Sequence, residues 1–528
     1  MNVIGLLDIS EWTLVVAVVV VSYVTYMSWT HGMFRALGIK GPTPLPVLGN
    51  SLVQLRMGIH GADVYHMQQY GHVYGSFETR FPVLVVSDAE LLKHIMVKDF
   101  NNFPNRRDMA EELVGFPISK SLIFTKDDHW RFIRNFITPA FSGAKLKRMV
   151  SVLNGANDVL LSQLTAKTKV SAEIDIKKYF EHFIMDFISQ AAFGMETQSQ
   201  LVPNDPFAEH ARQVLNCMTL GSPFIIIATF FPFLVPLMSR LGFHLFAEKK
   251  TKFFVDVTKE IIAQRKNDKH ARERTDFIQV AINAEEEHRH QRNGIADGSS
   301  GGGKYKLSDG GGKQQNGHTK GLTDDEINAQ ALLFFLAGYD TSSTTLSLVV
   351  YNLATHPDVQ DKLLAEIDEL LPEDQPNYDN ISKLEYLDMC VSETLRIYPP
   401  GLRADRTALQ DTEINGVKIP KGLTVAIPIY AIHHDPERWE NPEEFDPERF
   451  SPENKSKHGP FDYLPFGNGP RSCIGMRLAV LAIKVTLVRV FQKYRFTASQ
   501  NTQIPLKFSF AGLLRPDKGV WLHAEERT

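Results

Sequence analysis

An uninterrupted uncharged run lies near the start of the chain, from residue 12 to residue 29. As a helix rising about 1.5 Å per residue, it would span roughly 27 Å, enough to cross a thin bilayer core. Trp12 and Trp29 stand at its two ends, where membrane helices favour aromatic residues. A cleaved signal peptide is the alternative, but no basic segment precedes the run and no small-residue cleavage site follows it. The pattern therefore predicts a membrane anchor over residues 1–30.

The charges that flank the predicted anchor are of opposite sign. Asp8 and Glu11 precede the apolar run, whereas Arg35 and Lys40 follow it. Because basic residues favour the cytosolic side of a membrane, the rest of the chain is predicted to be cytosolic.

A proline-rich stretch follows the anchor. Residues 41–46 read Gly-Pro-Thr-Pro-Leu-Pro, and three prolines forbid a helix and stiffen the chain. We therefore expect residues 31–50 to be an extended hinge that separates the anchor from the body. No composition break divides the remainder, so residues 51–528 are expected to form one large domain.

A second uncharged region runs from residue 213 to residue 239, but it contains three prolines and Gly221. These residues make a spanning helix a poor fit. The pattern favours a partly helical loop whose apolar side enters the membrane surface, while a buried core segment remains the alternative.

The longest helical pattern begins at a capping box, Thr323 followed by Glu326, and ends at residues 356–357, His-Pro. It would be about 33 residues and on the order of 50 Å long. Asp340 and Thr341 interrupt its apolar middle, where polar groups are costly unless they are satisfied. Because a hydroxyl can bond the carbonyl one turn back, the sequence predicts a polar notch in this helix.

Two shorter patterns complete the outline of the domain. Residues 75–79 and 83–87 alternate or are rich in β-branched residues, which predicts a small early sheet. Residues 288–321 are rich in glycine and polar residues and cannot bury enough apolar area to order themselves, so they are predicted to be a flexible loop within the domain.

Composition narrows the class of protein. The chain has 528 residues, 43% hydrophobic, so a large core is possible, and its net charge of −4 gives no sign of nucleic-acid binding. Cys217, Cys390 and Cys473 are far apart, which argues against a disulfide framework or a zinc site and fits a reducing compartment.

One of these cysteines lies in a distinctive turn. Residues 466–475 read Phe-Gly-Asn-Gly-Pro-Arg-Ser-Cys-Ile-Gly and precede a largely apolar helical run. Glycines let backbone N–H groups approach the sulfur, and the positive end of the following helix favours a thiolate at Cys473. A buried structural cysteine is the alternative, but five positions of fixed residue type at fixed spacing argue for an iron ligand.

This Phe-x-x-Gly-x-Arg-x-Cys-x-Gly pattern resembles the haem-ligand signature of the cytochromes P450. Other elements of that family occur upstream in the family's order. They are Trp130 and Arg134, Asp340 and Thr341, Glu393 and Arg396, and then Arg449. The likeness is greatest to the animal microsomal clan of drug-metabolising, thromboxane-synthase-like and insect detoxifying enzymes. It implies the P450 fold, mainly α with a small β-sheet region, behind one N-terminal transmembrane helix.

The resemblance also implies roles for individual residues. Cys473 would be the axial ligand of the iron in haem b, and Asp340 with Thr341 would deliver protons to dioxygen. The residues expected to bind the haem are Trp130, Arg134, Arg406, Phe466 and Arg471. Glu393, Arg396 and Arg449 would form a structural triad. Phe116, Ile118, Phe334, Phe335, Leu402 and Leu513 are candidate walls of the substrate cavity.

The function that the resemblance implies is monooxygenation of a lipophilic small molecule at the endoplasmic reticulum membrane. Electrons would come from NADPH through NADPH–cytochrome P450 reductase, with cytochrome b5 as a further candidate partner. Candidate docking residues are Arg131, Lys145, Lys147 and Lys484. A haem-thiolate isomerase and a non-catalytic haem sensor are the alternatives. The acid–alcohol pair argues against the first, and the anchor with its membrane-facing region argues against the second.

Overall fold

Most of the chain folds into helices. The computed structural model describes residues 11–202, 205–215, 223–268, 272, 274, 276–296, 321–509 and 513–527. The helices are α1 Glu11–Ser28, α2 Met33–Ala36, α3 Ser51–Tyr70, α4 Ala89–Lys93, α5 Glu111–Val114, α6 Asp127–Ile137, α7 Gly143–Thr168, α8 Ile176–Phe193, α9 Pro206–Leu215, α10 Pro223–Phe230, α11 Val235–Arg240, α12 Glu248–Asn267, α13 Phe277–Ala296, α14 Asp324–Thr355, α15 Pro357–Leu370, α16 Glu385–Ile397, α17 Ile429–His433, α18 Pro452–Lys455 and α19 Met476–Lys493.

Small sheets flank the helices, as predicted. The strands are β1 Val73–Glu78, β2 Phe81–Val86, β3 Glu173–Asp175, β4 Ala404–Thr407, β5 Thr412–Ile414, β6 Val417–Ile419, β7 Thr424–Ile427, β8 Tyr494–Ala498 and β9 Trp521–Glu526. The largest sheet has the order β1-β2-β7-β4, a second has the order β3-β9-β8, and β5 pairs with β6. The predicted early sheet is the antiparallel pair β1 and β2, with Val73 opposite Val86.

Helix α14 runs through the core and confirms the long helix expected from residue 323. The Oγ1 atom of Thr323 accepts from the N–H of Glu326 at 3.3 Å, and the Glu326 carboxylate accepts from the N–H of Thr323 at 2.8 Å. Nearly every side chain from Tyr339 to Ala354 is buried. The helix therefore offers a fixed frame for the polar residues in its middle.

The expected triad of Glu393, Arg396 and Arg449 is present in the core. The Arg396 guanidinium donates to both carboxylate oxygens of Glu393, at 2.7 and 2.8 Å, and both side chains are fully buried. Arg449 Nε lies 3.3 Å from the same carboxylate. Arg396 also donates to the carbonyls of His433 and Pro442, so it joins α16 to the segment that precedes the cysteine turn.

We expect Arg396→Ala to lower the free energy of unfolding by about 3–5 kcal/mol, because it leaves the Glu393 carboxylate buried without its main partner. The matched control is Arg495→Ala, which breaks an exposed pair with Asp361 at 2.6 Å and should cost about 1 kcal/mol or less. Urea unfolding followed by intrinsic fluorescence measures both. Equal midpoints for the two variants would contradict the structural role of Arg396.

The predicted anchor corresponds to α1, the one helix among the described residues that is long and apolar enough to cross a membrane. Its last turns contact the body. Tyr23 stacks on Phe231 with ring centroids 5.5 Å apart, and Arg80 lies 3.9 Å from the ring centroid of Tyr26. The end of α1 is therefore held between the β1–β2 turn and the segment that joins α10 to α11.

The segment expected to act as a separating hinge packs against the body instead. Phe34 is buried against Phe77, and the Lys40 carbonyl accepts from the N–H of Gly75 at 2.8 Å. His31 Nε2 lies 2.9 Å from the Thr79 carbonyl oxygen. Residues 39–44, which include two of the prolines, have no regular structure, but α2 and a turn at residues 46–48 interrupt the expected extended hinge. Apolar side chains such as Phe34 attach the segment to the sheet.

Two other expected segments differ in part from the structure. Helix α13 continues to Ala296, so the beginning of the predicted loop 288–321 is helical, and residues 297–320 lie outside the described residues. In the uncharged region 213–239, residues 216–222 with Cys217 also lie outside them. The remainder exposes apolar side chains such as Phe233 and Leu237, which argues against a buried core segment.

Candidate functional site

A cavity of about 380 Å³ lies between α14, the cysteine turn and the start of β4. Its walls include Phe187, Ile188, Phe334, Ala337 and Gly338 on one side and Phe466, Cys473 and Ile474 on the other. Thr341 and Ser342 are polar residues of the same wall of α14. The cavity is therefore mainly apolar, with a cysteine at one face and hydroxyls within its walls.

The backbone of the cysteine turn requires glycine at two positions. Gly467 and Gly469 have φ values of +69° and +71°, and a Cβ atom on Gly469 would stand 2.0 Å from the Met96 carbonyl oxygen. The N–H of Cys473 donates to the Phe466 carbonyl at 2.9 Å. Helix α19 then begins at Met476. The turn thus holds Cys473 at the cavity wall, directly before the N-terminus of a helix.

The surroundings of Cys473 act on its pKa in both directions. Cys473 is exposed at the cavity wall but shielded from bulk water, and this desolvation raises the pKa of the thiol above its usual value. The backbone N–H groups of Gly475 and Met476, and the charges of Arg134 and Arg106, oppose that rise. Because a thiolate is costly in an apolar wall, a metal cation bound to the sulfur is the partner that would stabilise it.

Five arginines line the cavity, and one of them, Arg403, is paired with Asp63 and Glu78. The other four form no ion pair within the described residues, and they line the cavity together with Trp130: Arg106, Arg134, Arg406 and Arg471. Arg134 Nη1 donates to the Ser472 carbonyl at 2.9 Å, and Arg406 Nη1 donates to the Asp405 carbonyl at 2.6 Å. The sequence analysis named Trp130, Arg134, Arg406 and Arg471 as expected haem contacts, but it did not name Arg106.

The predicted haem contact Arg471 has most of its donors engaged elsewhere. It donates to the carbonyls of Pro104 at 2.7 Å and Thr125 at 3.0 Å, and its guanidinium carbon lies 4.0 Å from the Trp130 ring centroid. Arg471 therefore ties the cysteine turn to the segment before α6. It also adds positive charge to the same end of the cavity.

The arginine cluster carries positive charge that its neighbours do not balance. Burial, together with the charges of Arg106, Arg406 and Arg134, lowers the pKa of Arg471 to about 8. Burial and Arg106 lower the pKa of Arg406 to about 10. The buried Nε atoms of Arg106 and Arg406 have no hydrogen-bond partner among the described residues. Such a cluster fits a ligand with anionic oxygens.

These features fit haem b. Its two propionates match the positive charge and unpartnered donors of the arginines, its flat apolar ring matches the apolar walls, and its iron matches Cys473. The residues that the sequence predicted to hold haem all line this cavity: Trp130, Arg134, Arg406, Phe466, Arg471 and Cys473.

The two residues of the polar notch on α14 have different surroundings. The Thr341 hydroxyl donates to the Ala337 carbonyl at 2.7 Å, the bond to the preceding turn that the sequence predicted, and the residue lines the cavity. The carboxylate of Asp340 instead accepts from Arg515 Nε at 2.8 Å. The structure therefore brings Thr341 to the site directly and joins Asp340 to the C-terminal loop.

The predicted cavity walls are correct in part. Phe334 and Leu513 line the cavity, whereas Phe335 is fully buried between α14 and its neighbours, 4.8 Å from Phe254 between ring centroids. Phe116, Ile118 and Leu402 also lie outside its lining. Consecutive aromatic residues on a helix point to different faces, so the motif alone did not separate Phe334 from Phe335.

Known proteins resemble this chain over nearly its whole length. The family model described as Cytochrome P450 matches residues 39–300 and 303–523. Cytochrome P450 3A41 of Mus musculus is 39% identical over 529 residues, which cover 100% of this chain and 99% of the relative. Cytochrome P450 3A7 of Homo sapiens is also 39% identical, over 531 residues with the same coverage.

The match extends over nearly the whole chain, from the hinge to the last strand, and includes the cysteine turn, the notch on α14 and the buried triad. A short motif could recur by chance, but identity at this level over the full length excludes a chance match. The chain belongs to the cytochrome P450 family of oxidoreductases, the haem-thiolate enzymes that incorporate oxygen into their substrates.

Proposed function

We propose that this enzyme inserts one oxygen atom from O2 into a lipophilic small molecule, with electrons from NADPH delivered by NADPH–cytochrome P450 reductase. The observation that carries the proposal is the joint position of Cys473 and Thr341 on one mainly apolar cavity. A thiolate ligand serves oxygen activation, and a hydroxyl near it serves proton delivery. An apolar cavity selects a lipophilic compound, such as a xenobiotic, a steroid or a fatty-acid-like molecule.

Each site residue has a distinct proposed task. When bound, haem b supplies the activation of dioxygen, to which the cysteine thiolate contributes electron density. Cys473 would hold the iron, and Phe466 would shield the sulfur from water. Trp130, Arg134, Arg406 and Arg471 would hold the propionates, together with Arg106, which the sequence did not single out. Thr341 would pass a proton into the cavity from the side of Asp340.

The expected docking residues for the reductase do not all lie at the surface. Arg131 and Lys147 are exposed and pair with Asp128 at 3.1 Å and Asp379 at 2.6 Å. Lys484 is buried and pairs with Asp388 at 3.1 Å, so the prediction for Lys484 is wrong. We propose that Arg131, Lys145 and Lys147 meet an acidic surface of the reductase, and cytochrome b5 is a further candidate for the same face.

We further propose that the enzyme is anchored in the endoplasmic reticulum membrane by α1, with the catalytic domain in the cytosol. The support is the apolar character of α1 and the exposed apolar side chains of α10 and α11 beside its end. The basic residues that follow α1 favour this orientation.

The experiment that tests the function measures product, NADPH and hydrogen peroxide together. The full-length protein is reconstituted with the reductase in liposomes and supplied with the lipophilic ligand that most strongly shifts the haem spectrum. A monooxygenase forms product only with NADPH, reductase and O2. Product without NADPH would support an isomerase instead, and binding without turnover of any ligand tried would support a sensor.

Deletion of residues 1–30 should leave a folded, haem-loaded protein that still binds membranes weakly. The exposed apolar residues Phe231, Phe233 and Leu237 supply the remaining contact. Liposome flotation of the truncated protein measures it, and the same truncation with Phe233→Ser and Leu237→Ser is the control that should bind less. If the truncated protein remains wholly in the soluble fraction, this region does not contact the membrane.

A further inference from the structure

An ion pair joins the polar notch of α14 to the C-terminal loop. Arg515 Nε donates to Asp340 Oδ2 at 2.8 Å, and the two side chains are 18% and 7% exposed. The residues are 175 positions apart in the sequence. Neither side chain of the pair lines the cavity, and the proposed function gives Arg515 no task.

The loop that carries Arg515 also reaches the cavity. Leu513 lines the cavity two residues before Arg515. Leu513 forms a β-bridge with Gly401, and the N–H of Leu514 donates to the Pro400 carbonyl at 3.2 Å. The N–H of Ser509 donates to the Arg515 carbonyl at 2.9 Å, and Phe508 forms a β-bridge with Pro516. Residues 513–516 are thus one short bridged stretch, through which a displacement of Leu513 would be transmitted to Arg515.

Asp340, the acidic member of the ion pair, directly precedes Thr341 in the sequence. Asp340 and Thr341 are adjacent on α14, yet only Thr341 lines the cavity. The contact with Arg515 holds the Asp340 carboxylate toward the loop. Loss of that contact would leave a carboxylate, nine-tenths buried, in need of a new polar partner, and the nearest change available is a turn of its side chain toward Thr341 or toward water.

From this arrangement we propose that Arg515 is a positioning residue that couples occupancy of the cavity at Leu513 to the orientation of Asp340. With the cavity empty, Arg515 holds the carboxylate away from Thr341. A ligand large enough to shift Leu513 weakens the ion pair and frees Asp340 to relay a proton from water to the Thr341 hydroxyl. The relay step of this inference rests on the proposed function. The predicted movement of the loop is independent of that function.

The first test follows the loop without measuring turnover. Hydrogen–deuterium exchange of the haem-loaded, full-length protein is measured for peptides that cover residues 513–527, with and without a large lipophilic ligand. In the wild type the ligand should raise exchange at the Leu514 N–H. In Arg515→Gln exchange should be high already without ligand, whereas Arg515→Lys should behave more like the wild type.

The second test asks whether Arg515 acts through Asp340. Because Arg515→Gln frees Asp340 whether or not the cavity is occupied, it should raise ligand-free NADPH oxidation by about fivefold, a size expected for a residue that acts on the site through another one. The share of NADPH electrons recovered in product with ligand bound should stay near the wild-type value. Asp340→Asn combined with Arg515→Gln should lose the rise in ligand-free oxidation and behave as Asp340→Asn alone, because the effect of Arg515 requires the carboxylate. Arg495→Gln, which breaks the exposed pair with Asp361, is the control and should change neither quantity.

The outcomes separate this proposal from the proposed function. Unchanged exchange at residues 513–527 in Arg515→Gln, or additive effects of the two substitutions, would overturn the role of Arg515. Thermal unfolding of each variant identifies any loss that comes from misfolding, and Arg515→Lys then replaces Arg515→Gln in the cycle. Product without NADPH in the wild type would overturn the monooxygenase proposal, while the exchange result would still decide whether Arg515 holds the loop.

Discussion

Replacement of Cys473 by alanine should abolish the thiolate-ligated haem. The turn places this sulfur on the cavity wall, with the N–H groups of Gly475 and Met476 and the charges of Arg134 and Arg106 acting in favour of its ionised form. The other cysteine among the described residues, Cys390, is no substitute, because it is fully buried on α16, where burial raises the pKa of its thiol well above the usual value. The measurement is the absorption spectrum of the reduced protein bound to carbon monoxide, in which thiolate ligation gives a red-shifted band.

The control for this substitution is Cys390→Ala, which should keep the red-shifted band because it removes a thiol from the core and not from the cavity. Cys473→His tests the ligand more finely, since an imidazole can bind iron but cannot donate electron density as a thiolate does. We expect that variant to bind haem without the red-shifted band. Retention of the band in Cys473→Ala would show that Cys473 is not the ligand.

The sequence predicted those parts of the fold and site that depend on short-range signals. The capping box at Thr323 requires only residues three apart, and the structure contains it. Two of the glycines before Cys473, Gly467 and Gly469, have positive φ values, and a Cβ atom on Gly469 would collide with the Met96 carbonyl. The spacing of Trp130 and Arg134 follows from one helix face, and both reach the cavity. In each case, residues only a few positions apart in the sequence determine the local backbone conformation or the helix face.

Contacts between distant parts of the chain were not predictable in the same way. Arg106 carries no motif, and only its placement beside Arg134 and Arg406 shows that it belongs to the site. Arg515 reaches Asp340 because the C-terminal loop folds back onto α14. The sequence gives the charge of each residue but not the partner, since any of many carboxylates would have served as well.

The direction of side chains on a helix was a second source of error. Lys484 belongs to a helix with basic residues and was expected at the surface, but it lies on the buried side of α19 next to Asp388. The hinge shows the same difficulty: its prolines predicted an extended, separating linker, but the segment contains α2 and a turn at residues 46–48, and Phe34 packs into the core. The composition of a segment indicates its secondary structure, but the elements packed against it determine which of its side chains are buried.

Removal of the Thr341 hydroxyl should separate oxygenation from the alternatives. This hydroxyl lines the cavity and donates to the Ala337 carbonyl at 2.7 Å, so its oxygen remains able to accept a proton and pass one on. Thr341→Ala leaves Cys473, the arginines and the apolar walls unchanged, and haem loading and ligand binding should therefore be nearly intact. Product formation should fall by about 100-fold, the low end of what a positioned proton donor contributes. NADPH consumption should continue, with its electrons recovered as hydrogen peroxide.

Two variants make this result specific to the hydroxyl of the site. Thr341→Ser keeps the hydroxyl and should retain most of the product. Ser347→Ala removes the same kind of bond, since the Ser347 hydroxyl donates to the Ser343 carbonyl at 2.6 Å, but from a fully buried position outside the cavity lining, and it should leave the ratio of product to NADPH unchanged. An isomerase has no use for a proton relay to dioxygen, so Thr341→Ala would leave its rate unaltered and its product would form without NADPH. That pair of results would exclude the monooxygenase proposal, whereas a loss of product with continued formation of peroxide would identify Thr341 as the residue that commits the electrons to substrate.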